Sequence, residues 1–341
     1  MIKPKMLQKG DTVAVIAPSS GLGGLCQHRV DNAKRALEGL GFRVKEFPTA
    51  RKSLDGTAGT VEERTADVHA AFADKDVKAV ICTIGGLAAN ELLTKIDYKL
   101  IRSNPKIFCG YSDISNLHYA FHRMAGLVTF YGPAAMTQFG EFPKPFQYTV
   151  DRFLKAVSEK GPIGKIAPSA GWTDETLDWF KKEDLKRPRK LQKNGGYVWL
   201  KNGSAEGPII GGCLYSILQL KGTKFDVDYK NKMLFIETSE GQDFKKGEPL
   251  NYVNAQLGDL ENAGVFDKIR GLIVGRGFGY SKEEREKFRQ MILAHVKEHD
   301  FPVLSDADIG HTDPIITVPL GVRVSLDSEK GLFSIDESGV V

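Results

Sequence analysis

Short apolar runs alternate with amphipathic stretches from residue 12 to residue 124. The pattern predicts strands at 12–17, 42–47, 77–84 and 107–109. It predicts helices at 29–40, 65–72, 88–96 and 113–124. Strand and helix follow one another in turn, which is typical of a parallel sheet covered by helices on both faces. The expected fold class is therefore α/β.

The composition of the chain changes at the start of its second half. Residues 163–194 are polar, contain two tryptophans and end in a strongly charged run, which is typical of a linker or a surface excursion. Beyond them, predicted strands lie at 197–201, 232–237, 269–274 and 302–304, predicted helices at 249–262 and 282–299, and a terminal hairpin at 318–326 and 331–335. We therefore expect an amino-terminal domain (1–165), a tryptophan-bearing linker (166–195) and a second domain (196–341).

Length and composition exclude several function classes. A chain of 341 residues can hold two domains, and 41% hydrophobic with 26% charged residues is ordinary for a globular protein. A net charge of +4 gives no support for a nucleic-acid polymer or a membrane surface as partner. The four cysteines form no CxxC pair, so we expect buried free thiols. No signal-peptide pattern or bilayer-length apolar run is present, and a cytoplasmic location is expected.

The stretch from 106 to 115 contains the best candidate for a nucleophile. Ser112 lies between the end of a predicted strand and the start of a predicted helix, and Gly110 permits a sharp turn before it. This position exposes the hydroxyl and directs the first free N–H groups of the helix toward whatever Ser112 attacks. The arrangement resembles a nucleophile elbow, although Gly-Tyr-Ser-Asp lacks the second glycine of G-x-S-x-G. The segment alone leaves open the alternative that Ser112 or Asp113 only caps the helix.

A serine nucleophile needs a base and a third group that orients the base. Of the seven histidines, His311 lies in a loop after a strand, bounded by a glycine and a proline that would position it. Glu237 ends a strand of apolar residues, where an acid must be paired or lie at the rim of the sheet. We expect Ser112 to act as nucleophile, His311 as base and later acid, and Glu237 as the orienting group. Glu240 is the alternative for the third role.

Backbone N–H groups of Gly86 and Asp113 are the predicted oxyanion donors, since adjacent glycines let the backbone approach a ligand closely. Gly85 is expected to contact the substrate. The loops 18–21, 85–86 and 111–113 follow neighbouring strands at their carboxyl ends, where parallel sheets carry their sites. All three loops should therefore line one cleft.

Other motifs point to other chemistry. Cys109 would be the nucleophile of a glutamine amidotransferase-like enzyme, although a thiol inside a strand is more often a core residue. The glycines of 275–279 do not follow G-x-G-x-x-G, so no dinucleotide cofactor is expected. His118 and His122 share a helix face but have no HExxH and no cysteine partner, so no metal site is expected. The tryptophans in the polar stretch are either structural or stack on a ligand.

Several motifs together carry a family resemblance. In chain order they are Ala-Pro-Ser-Ser (17–20), Thr-Ile-Gly-Gly (83–86), Asn-Pro-Lys-Ile-Phe-Cys-Gly-Tyr-Ser-Asp (104–113), Gly-Pro-Ile-Ile-Gly-Gly (207–212), Leu-Phe-Ile-Glu (234–237), Gly-His (310–311) and Pro-Leu-Gly (319–321). Nearly the whole chain resembles the LD-carboxypeptidase family of serine peptidases, family S66.

The resemblance implies a fold, an assembly and a site. The fold is a flavodoxin-like amino-terminal domain followed by a β-rich α/β domain, in a homodimer with no metal or other cofactor. The implied triad is Ser112, Glu237 and His311, completed across the two domains, and the implied oxyanion hole lies at Gly86 and Asp113.

Thr-Ile-Gly-Gly at 83–86 resembles the microcin C self-immunity branch of that family, which cuts an amide between an aspartyl group and a modified nucleotide. A peptidyl- or aminoacyl-nucleotide substrate is implied, with Trp172 or Trp179 stacked on its base. Cys213 stands where the family often has a substrate-binding asparagine, and an expected lysine after Glu237 is missing, which implies an altered acyl-group preference. The alternatives are a muropeptide LD-carboxypeptidase that removes terminal D-alanine, and a non-catalytic ligand-binding protein on the same fold.

Overall fold

The structure, a computed structural model, describes all residues from Met1 to Val341. The strands are β1 (Thr12–Ile16), β2 (Arg43–Glu46), β3 (Val77–Cys82), β4 (Ile107–Gly110), β5 (Phe130–Tyr131), β6 (Gly164–Lys165), β7 (Gly171–Trp172), β8 (Gln192–Lys193), β9 (Val198–Lys201), β10 (Ser204–Cys213), β11 (Met233–Glu237), β12 (Gly271–Gly275), β13 (Val303–Ala307), β14 (Val318–Pro319), β15 (Arg323–Asp327) and β16 (Leu332–Ile335). The helices are α1 (Leu22–Leu25), α2 (Gln27–Gly39), α3 (Val61–Ala73), α4 (Tyr98–Ser103), α5 (Ser115–Ala120), α6 (Gln147–Val157), α7 (Leu214–Leu218), α8 (Leu250–Asn262) and α9 (Lys282–Val296).

The first sheet has the order β2-β1-β3-β4-β5-β14. Its first five strands are parallel, and the order 2-1-3-4-5 is that of a flavodoxin-like sheet. β1 and β4 are buried along their whole length, as strands covered on both faces must be. The α/β class and the flavodoxin-like first sheet expected from the sequence are confirmed.

The second sheet has eight strands in the order β6-β16-β15-β10-β11-β12-β13-β9. Its centre, β10 to β13, is parallel, and its edges are antiparallel. The predicted terminal hairpin is present as β15 and β16. One continuous apolar core runs through both sheets. None of the helices is both long and apolar enough to cross a membrane.

Two local expectations were wrong. The stretch 88–96 forms only a short turn at Ala89–Leu92, and the helix begins later, at α4. The carboxylate of Asp97 accepts hydrogen bonds from the first N–H groups of α4, so this residue sets the helix start. β14 does not belong to the terminal hairpin but pairs with β5 of the first sheet. Neither sheet is therefore built from one continuous segment.

The segment 166–195 is anchored to the second sheet rather than free of it. Asp308 is fully buried and accepts hydrogen bonds from the Ser169 N–H (2.7 Å) and the Arg276 guanidinium (2.8 Å). The same guanidinium lies 4.8 Å from the ring centre of Trp172. Thr173 exchanges backbone hydrogen bonds with Asp313, near the end of the loop that carries His311. The segment thus packs onto the carboxyl ends of the second sheet.

Arg276→Met should strongly destabilise the protein. Arg276 is 3% exposed, and its loss leaves the Asp308 carboxylate buried without a counter-charge. Removing one partner of a buried ion pair costs about 3–5 kcal/mol of unfolding free energy. Urea unfolding monitored by circular dichroism measures the change. The matched control is the exposed Arg270→Met, which should change stability by less than about 0.5 kcal/mol. Equal effects of the two substitutions would contradict the assignment of Arg276 as an anchor.

Candidate active site

A cavity of about 390 Å³ lies over the carboxyl ends of the strands. Its wall includes Ser20, Gly85, Gly86, Tyr111 and Ser112. These residues come from the loops after β1, β3 and β4, so the expectation that these loops share one cleft is confirmed. The opposite wall includes Phe278 and His311 from the second sheet and a part of the segment 166–195.

Ser112 occupies a strained turn between β4 and α5. Its φ angle is 64°, in the left-handed region that a residue other than glycine rarely adopts. Such a conformation costs about 1–3 kcal/mol and persists only where the surroundings hold it. The backbone N–H of Ser112 donates to the Tyr131 hydroxyl (3.1 Å), and its carbonyl accepts from the Ser115 hydroxyl (2.6 Å). The predicted elbow is thus present without a second glycine.

Three side chains form a continuous hydrogen-bonded chain. The Nε2 atom of His311 lies 3.0 Å from the Oγ atom of Ser112, and its Nδ1 atom lies 2.6 Å from the Oε2 atom of Glu237. Glu237 is 1% exposed at the end of β11. Ser112 belongs to the first sheet and the other two residues to the second, so the site is completed only where the sheets meet.

Two glycines permit the close approach of Glu237 and His311. Gly310 has a φ angle of 102°, and a side chain there would collide with the Glu237 carboxylate. A Cβ atom on Gly275 would lie 2.7 Å from the Cβ atom of Glu237. Larger residues at either position would therefore push the carboxylate away from the imidazole.

Tyr131 is a site residue that sequence reasoning missed. Its hydroxyl donates to the Oε1 atom of Glu237 (2.5 Å) and accepts from the Ser112 N–H (3.1 Å). Burial and the neighbouring Glu237 raise the pKa of this phenol well above its usual value, so the hydroxyl remains a proton donor. Tyr131 thus links the turn that carries the serine to the acid of the other sheet. No motif singles it out, because it lies in a two-residue apolar strand.

The predicted oxyanion donors lie beside the serine. A Cβ atom on Gly85 would lie 2.8 Å from the Cβ atom of Ser112 and 3.2 Å from the backbone nitrogen of Asp113. The N–H groups of Gly86 and Asp113 have no acceptor within the protein. The carboxylate of Asp113 accepts from the N–H groups of Ala88 (3.0 Å) and Ala89 (2.9 Å). Asp113 therefore holds the glycine loop against the elbow.

The two tryptophans have different positions. Trp179 lines the cavity, and the Arg29 guanidinium lies 4.4 Å from its ring centre. Trp172 is buried outside the cavity, between the guanidinium groups of Arg276 and Arg285. Of the two candidates for stacking on a ligand, only Trp179 is within reach of the cavity.

The cysteines lie outside the cavity. Cys213 is 3% exposed and is paired with Glu237 in the register of β10 and β11. Its N–H donates to the Ser115 hydroxyl (3.0 Å) rather than facing a ligand. Cys109 is fully buried in β4, and burial raises the pKa of its thiol well above the usual value. A buried, protonated thiol is a poor nucleophile, which argues against the cysteine alternative.

The charged run 181–193 contributes two side chains to the cavity wall, those of Asp184 and Arg189. The side chain of Arg189 is only 14% exposed, and its guanidinium pairs with the carboxylates of Asp313 (2.6 Å) and Glu141 (2.7 Å) in the cavity wall. This finding corrects the view of the run as solvent-exposed decoration. The periodicity of the run carried no hint of it, because its neighbours Lys186 and Lys190 are exposed.

His311 faces several carboxylates. Burial alone would lower the pKa of its imidazole, but Glu237, followed by Glu240 and Asp313, raises it to about 9. His118 has the opposite environment: burial lowers the pKa of its ring to about 4, and its nitrogens contact the Gly110 carbonyl and the Thr129 hydroxyl. No three His, Cys, Asp or Glu side chains converge as metal ligands would.

Comparison with known proteins places the chain among carboxypeptidases. Sequence models described as the LD-carboxypeptidase N-terminal and C-terminal domains match residues 13–132 and 206–326. The chain is 31% identical over 336 residues to the microcin C7 self-immunity protein MccF of Escherichia coli, covering 97% of this chain and 94% of the relative. It is 31% identical over 351 residues to the "Probable murein peptide carboxypeptidase" of Bacillus subtilis, covering 99% and 95%. The solved structure of MccF in complex with aspartyl sulfamoyl adenosine matches with a TM-score of 0.91 at 30% identity, over 100% of both chains.

His311 and His118 should have pKa values on opposite sides of the ordinary histidine value. With an ordinary histidine pKa near 6.5, the surrounding carboxylates should move the midpoint of His311 up toward about 9, while burial moves that of His118 down to about 4. Nuclear magnetic resonance titration of the ring carbons measures both in one sample, with His118 as the internal control. A His311 midpoint at or below the ordinary value would contradict the expected influence of the carboxylates.

Proposed function

This chain belongs to the LD-carboxypeptidase family S66, and on that premise we propose that it is a serine carboxypeptidase whose catalytic triad is Ser112, His311 and Glu237. The observation that carries the proposal is the hydrogen-bonded chain from the Ser112 hydroxyl through the imidazole to the Glu237 carboxylate. A nucleophile, a base and an orienting acid at these distances are what acyl transfer requires.

The proposed reaction has two steps. His311 takes the proton of Ser112 as the serine oxygen bonds to the substrate carbonyl carbon, and the imidazolium then gives that proton to the departing nitrogen as the amide bond breaks. A water molecule attacks the resulting ester, with His311 again accepting the proton and returning it to Ser112. In both steps the N–H groups of Gly86 and Asp113 hold the negative oxygen, and Glu237 stabilises the positive imidazolium.

The raised pKa of His311 limits this cycle to pH values at which the imidazole is neutral. Because the imidazole accepts a proton only when neutral, a pKa of about 9 keeps most of the free enzyme in the inactive form at neutral pH. The value of kcat/KM should therefore rise with pH until His311 is deprotonated. A basic histidine also stabilises the imidazolium that forms during attack.

We propose an aminoacyl- or peptidyl-nucleotide as the substrate, cut at the amide next to the aminoacyl group. The likeness to MccF supports this class, as does Trp179, whose ring lines the cavity and can stack on a base. Phe180 and Phe244 are 67% and 55% exposed and line the same cavity, which adds apolar surface for a flat leaving group. A homodimer remains a prediction from the family resemblance, and a cytoplasmic location remains a prediction from the sequence.

A murein peptide is the second candidate substrate, favoured by the equally similar Bacillus subtilis relative. In that case the leaving group would be D-alanine, which is too small to need an aromatic wall. A third possibility is a protein that binds such a ligand without cleaving it.

Ser112→Ala should abolish hydrolysis, because no other hydroxyl lies beside His311. We expect kcat to fall on the order of 10⁴-fold or more, while Glu237→Ala should cost less. Mass spectrometry follows two reactions, one with aspartyl-sulfamoyl-adenosine and one with a muropeptide tetrapeptide. Ser158→Ala is the matched control, since this serine lies outside the cavity and its hydroxyl has no hydrogen-bond partner.

Each outcome of that assay distinguishes the candidates. Cleavage of the nucleotide amide supports a detoxifying or immunity enzyme, and release of D-alanine supports cell-wall recycling. Tight binding of either compound without turnover would establish a ligand-binding protein. Near-normal turnover by Ser112→Ala would refute the mechanism.

Tyr131→Phe should slow the reaction, because the Tyr131 hydroxyl positions both Glu237 and the Ser112 turn. Without the hydroxyl, the full charge of Glu237 faces His311 and the Ser112 turn loses a hydrogen bond. Charged hydrogen bonds of this kind are worth about 1.5–3 kcal/mol, which corresponds to roughly a 10- to 100-fold loss in kcat with KM little changed. The acid limb of the pH profile should move to higher pH, because the pKa of His311 rises.

Tyr119→Phe is the control for this substitution. Tyr119 is also fully buried, but its hydroxyl has no hydrogen-bond partner and lies outside the cavity. Its removal should leave kcat and the pH profile unchanged. If Tyr131→Phe behaves in the same way, the proposed positioning role is wrong.

A further inference from the structure

The cavity wall carries more negative than positive charge. Six carboxylates line it, against the two guanidinium groups of Arg29 and Arg189. Both guanidinium groups already hold carboxylates of the same wall, so neither is free to attract an anionic ligand. With the His311 imidazole counted as a third cation, the acidic side chains of the wall still outnumber the basic ones.

One of the six acids is not neutralised by a lysine or arginine. The other five have partners, in the pairs Asp184–Arg29 (3.1 Å), Glu141–Arg189 (2.7 Å), Asp313–Arg189 (2.6 Å), Glu175–Arg187 (2.6 Å) and Asp178–Lys181 (3.5 Å). Glu240 has no such partner: its carboxylate accepts no hydrogen bond, and the one basic group beside it is the His311 imidazole, whose Nε2 atom lies 3.6 Å from Oε2. Its side chain is 46% exposed and lines the cavity.

The carboxylate of Glu240 lies next to the reacting atoms. Its Oε2 atom is 3.6 Å from the Nε2 atom of His311, and the same nitrogen is 3.0 Å from the Ser112 hydroxyl. Glu240 and Ser112 thus flank one ring nitrogen. A carbonyl carbon poised at Ser112 brings the substituents of the acyl residue within a few ångströms of Glu240.

We propose that Glu240 is a specificity-determining residue that selects substrates whose acyl residue carries an ammonium group. This inference rests on the proposed function and names the substrate class of the same site. His311 must be neutral to act as the base, and in that form of the site the Glu240 carboxylate has no counter-charge and can form a charged hydrogen bond with an ammonium nitrogen. An acidic acyl side chain would meet a like charge, so an amide that carries one should be cleaved more slowly.

The ammonium group has two possible sources on the acyl residue. A free α-amino group lies one carbon away from the carbonyl that Ser112 attacks. The amine of a basic side chain is longer and can fold back toward Glu240. Both present the same cation to the carboxylate, and suitable substrates separate them.

The test uses four amides with a common leaving group. This is the leaving group of whichever compound, the nucleotide amide or the muropeptide, the wild type cleaves in the mass-spectrometric assay. Their acyl groups are lysyl, norleucyl, N-acetyl-lysyl and N-acetyl-norleucyl, which carry both ammonium groups, only the α-ammonium, only the side-chain ammonium, or neither. We expect the wild type to cleave an amide that carries the ammonium group bound by Glu240 with a higher kcat/KM than the uncharged N-acetyl-norleucyl amide. The expected ratio is about tenfold. The norleucyl and N-acetyl-lysyl amides identify which ammonium Glu240 binds.

Glu240→Gln keeps the size of the side chain and removes its charge. It should reduce the preference for ammonium-bearing amides to near unity. Asp243→Asn is the matched control, because it removes the same charge from an exposed position of the same loop that does not line the cavity. This control should keep the wild-type preference. Glu240→Lys should reverse the preference toward an aspartyl amide.

Failure of the inference and failure of the proposed function give different results. An unchanged preference in Glu240→Gln, or equal hydrolysis of all four amides by the wild type, would overturn the role of Glu240 while leaving the hydrolase intact. Turnover that survives Ser112→Ala, or no turnover of any amide, would refute the function. Calorimetric binding to Ser112→Ala tests Glu240 without turnover: the lysyl amide should bind about tenfold more tightly than the uncharged one. Glu240→Gln on that background should remove the difference, and its persistence would refute the inference.

Discussion

The site depends on one buried carboxylate that is hydrogen-bonded from both sheets. Glu237 stands at the end of a parallel strand with almost no exposure, where an unpaired charge would be strongly destabilising. His311 of the second sheet occupies one of its oxygens, and Tyr131 of the first sheet occupies the other. Because the phenol also holds the N–H of Ser112, the acid and the strained serine turn are fixed by one side chain. The relative position of the two sheets is thereby tied to the geometry of the site.

Ion pairs hold together the polar part of the wall around this centre. Arg29 and Arg189 lie within the fold and hold the carboxylates of Asp184, Glu141 and Asp313. These pairs use the charges of the segment 166–195 to attach it to the sheets. Once they are formed, the charge that remains available to a ligand is small and local. This accounts for how a cavity rich in ionisable groups can present, beside the nucleophile, one carboxylate without a lysine or arginine partner.

Relatives with the same fold are described by different substrates, a microcin C7 self-immunity protein in one case and a murein peptide carboxypeptidase in another. The likeness over nearly the whole chain extends to relatives of both kinds, so the overall fold does not distinguish the two substrates. The segment 166–195 and the loop after β11 contribute charged and aromatic side chains to the cavity, among them Trp179 and Glu240. They line the cavity beside Ser112, where the proposed substrate would lie.

The sequence by itself determined the alternation of strand and helix, the elbow at Ser112 and the candidates Glu237 and His311, since apolar periodicity, turn glycines and ordered motifs are local properties. It also led to an extra helix at 88–96 and to an exposed charged run, where a cap at Asp97 and the ion pairs of Arg189 were decisive. Only the tertiary structure decided that β14 joins the first sheet, that Tyr131 bridges Ser112 and Glu237, and that Trp179 rather than Trp172 reaches the cavity. Those contacts join positions far apart in the chain, and their formation depends on how the two sheets pack, which no local pattern encodes.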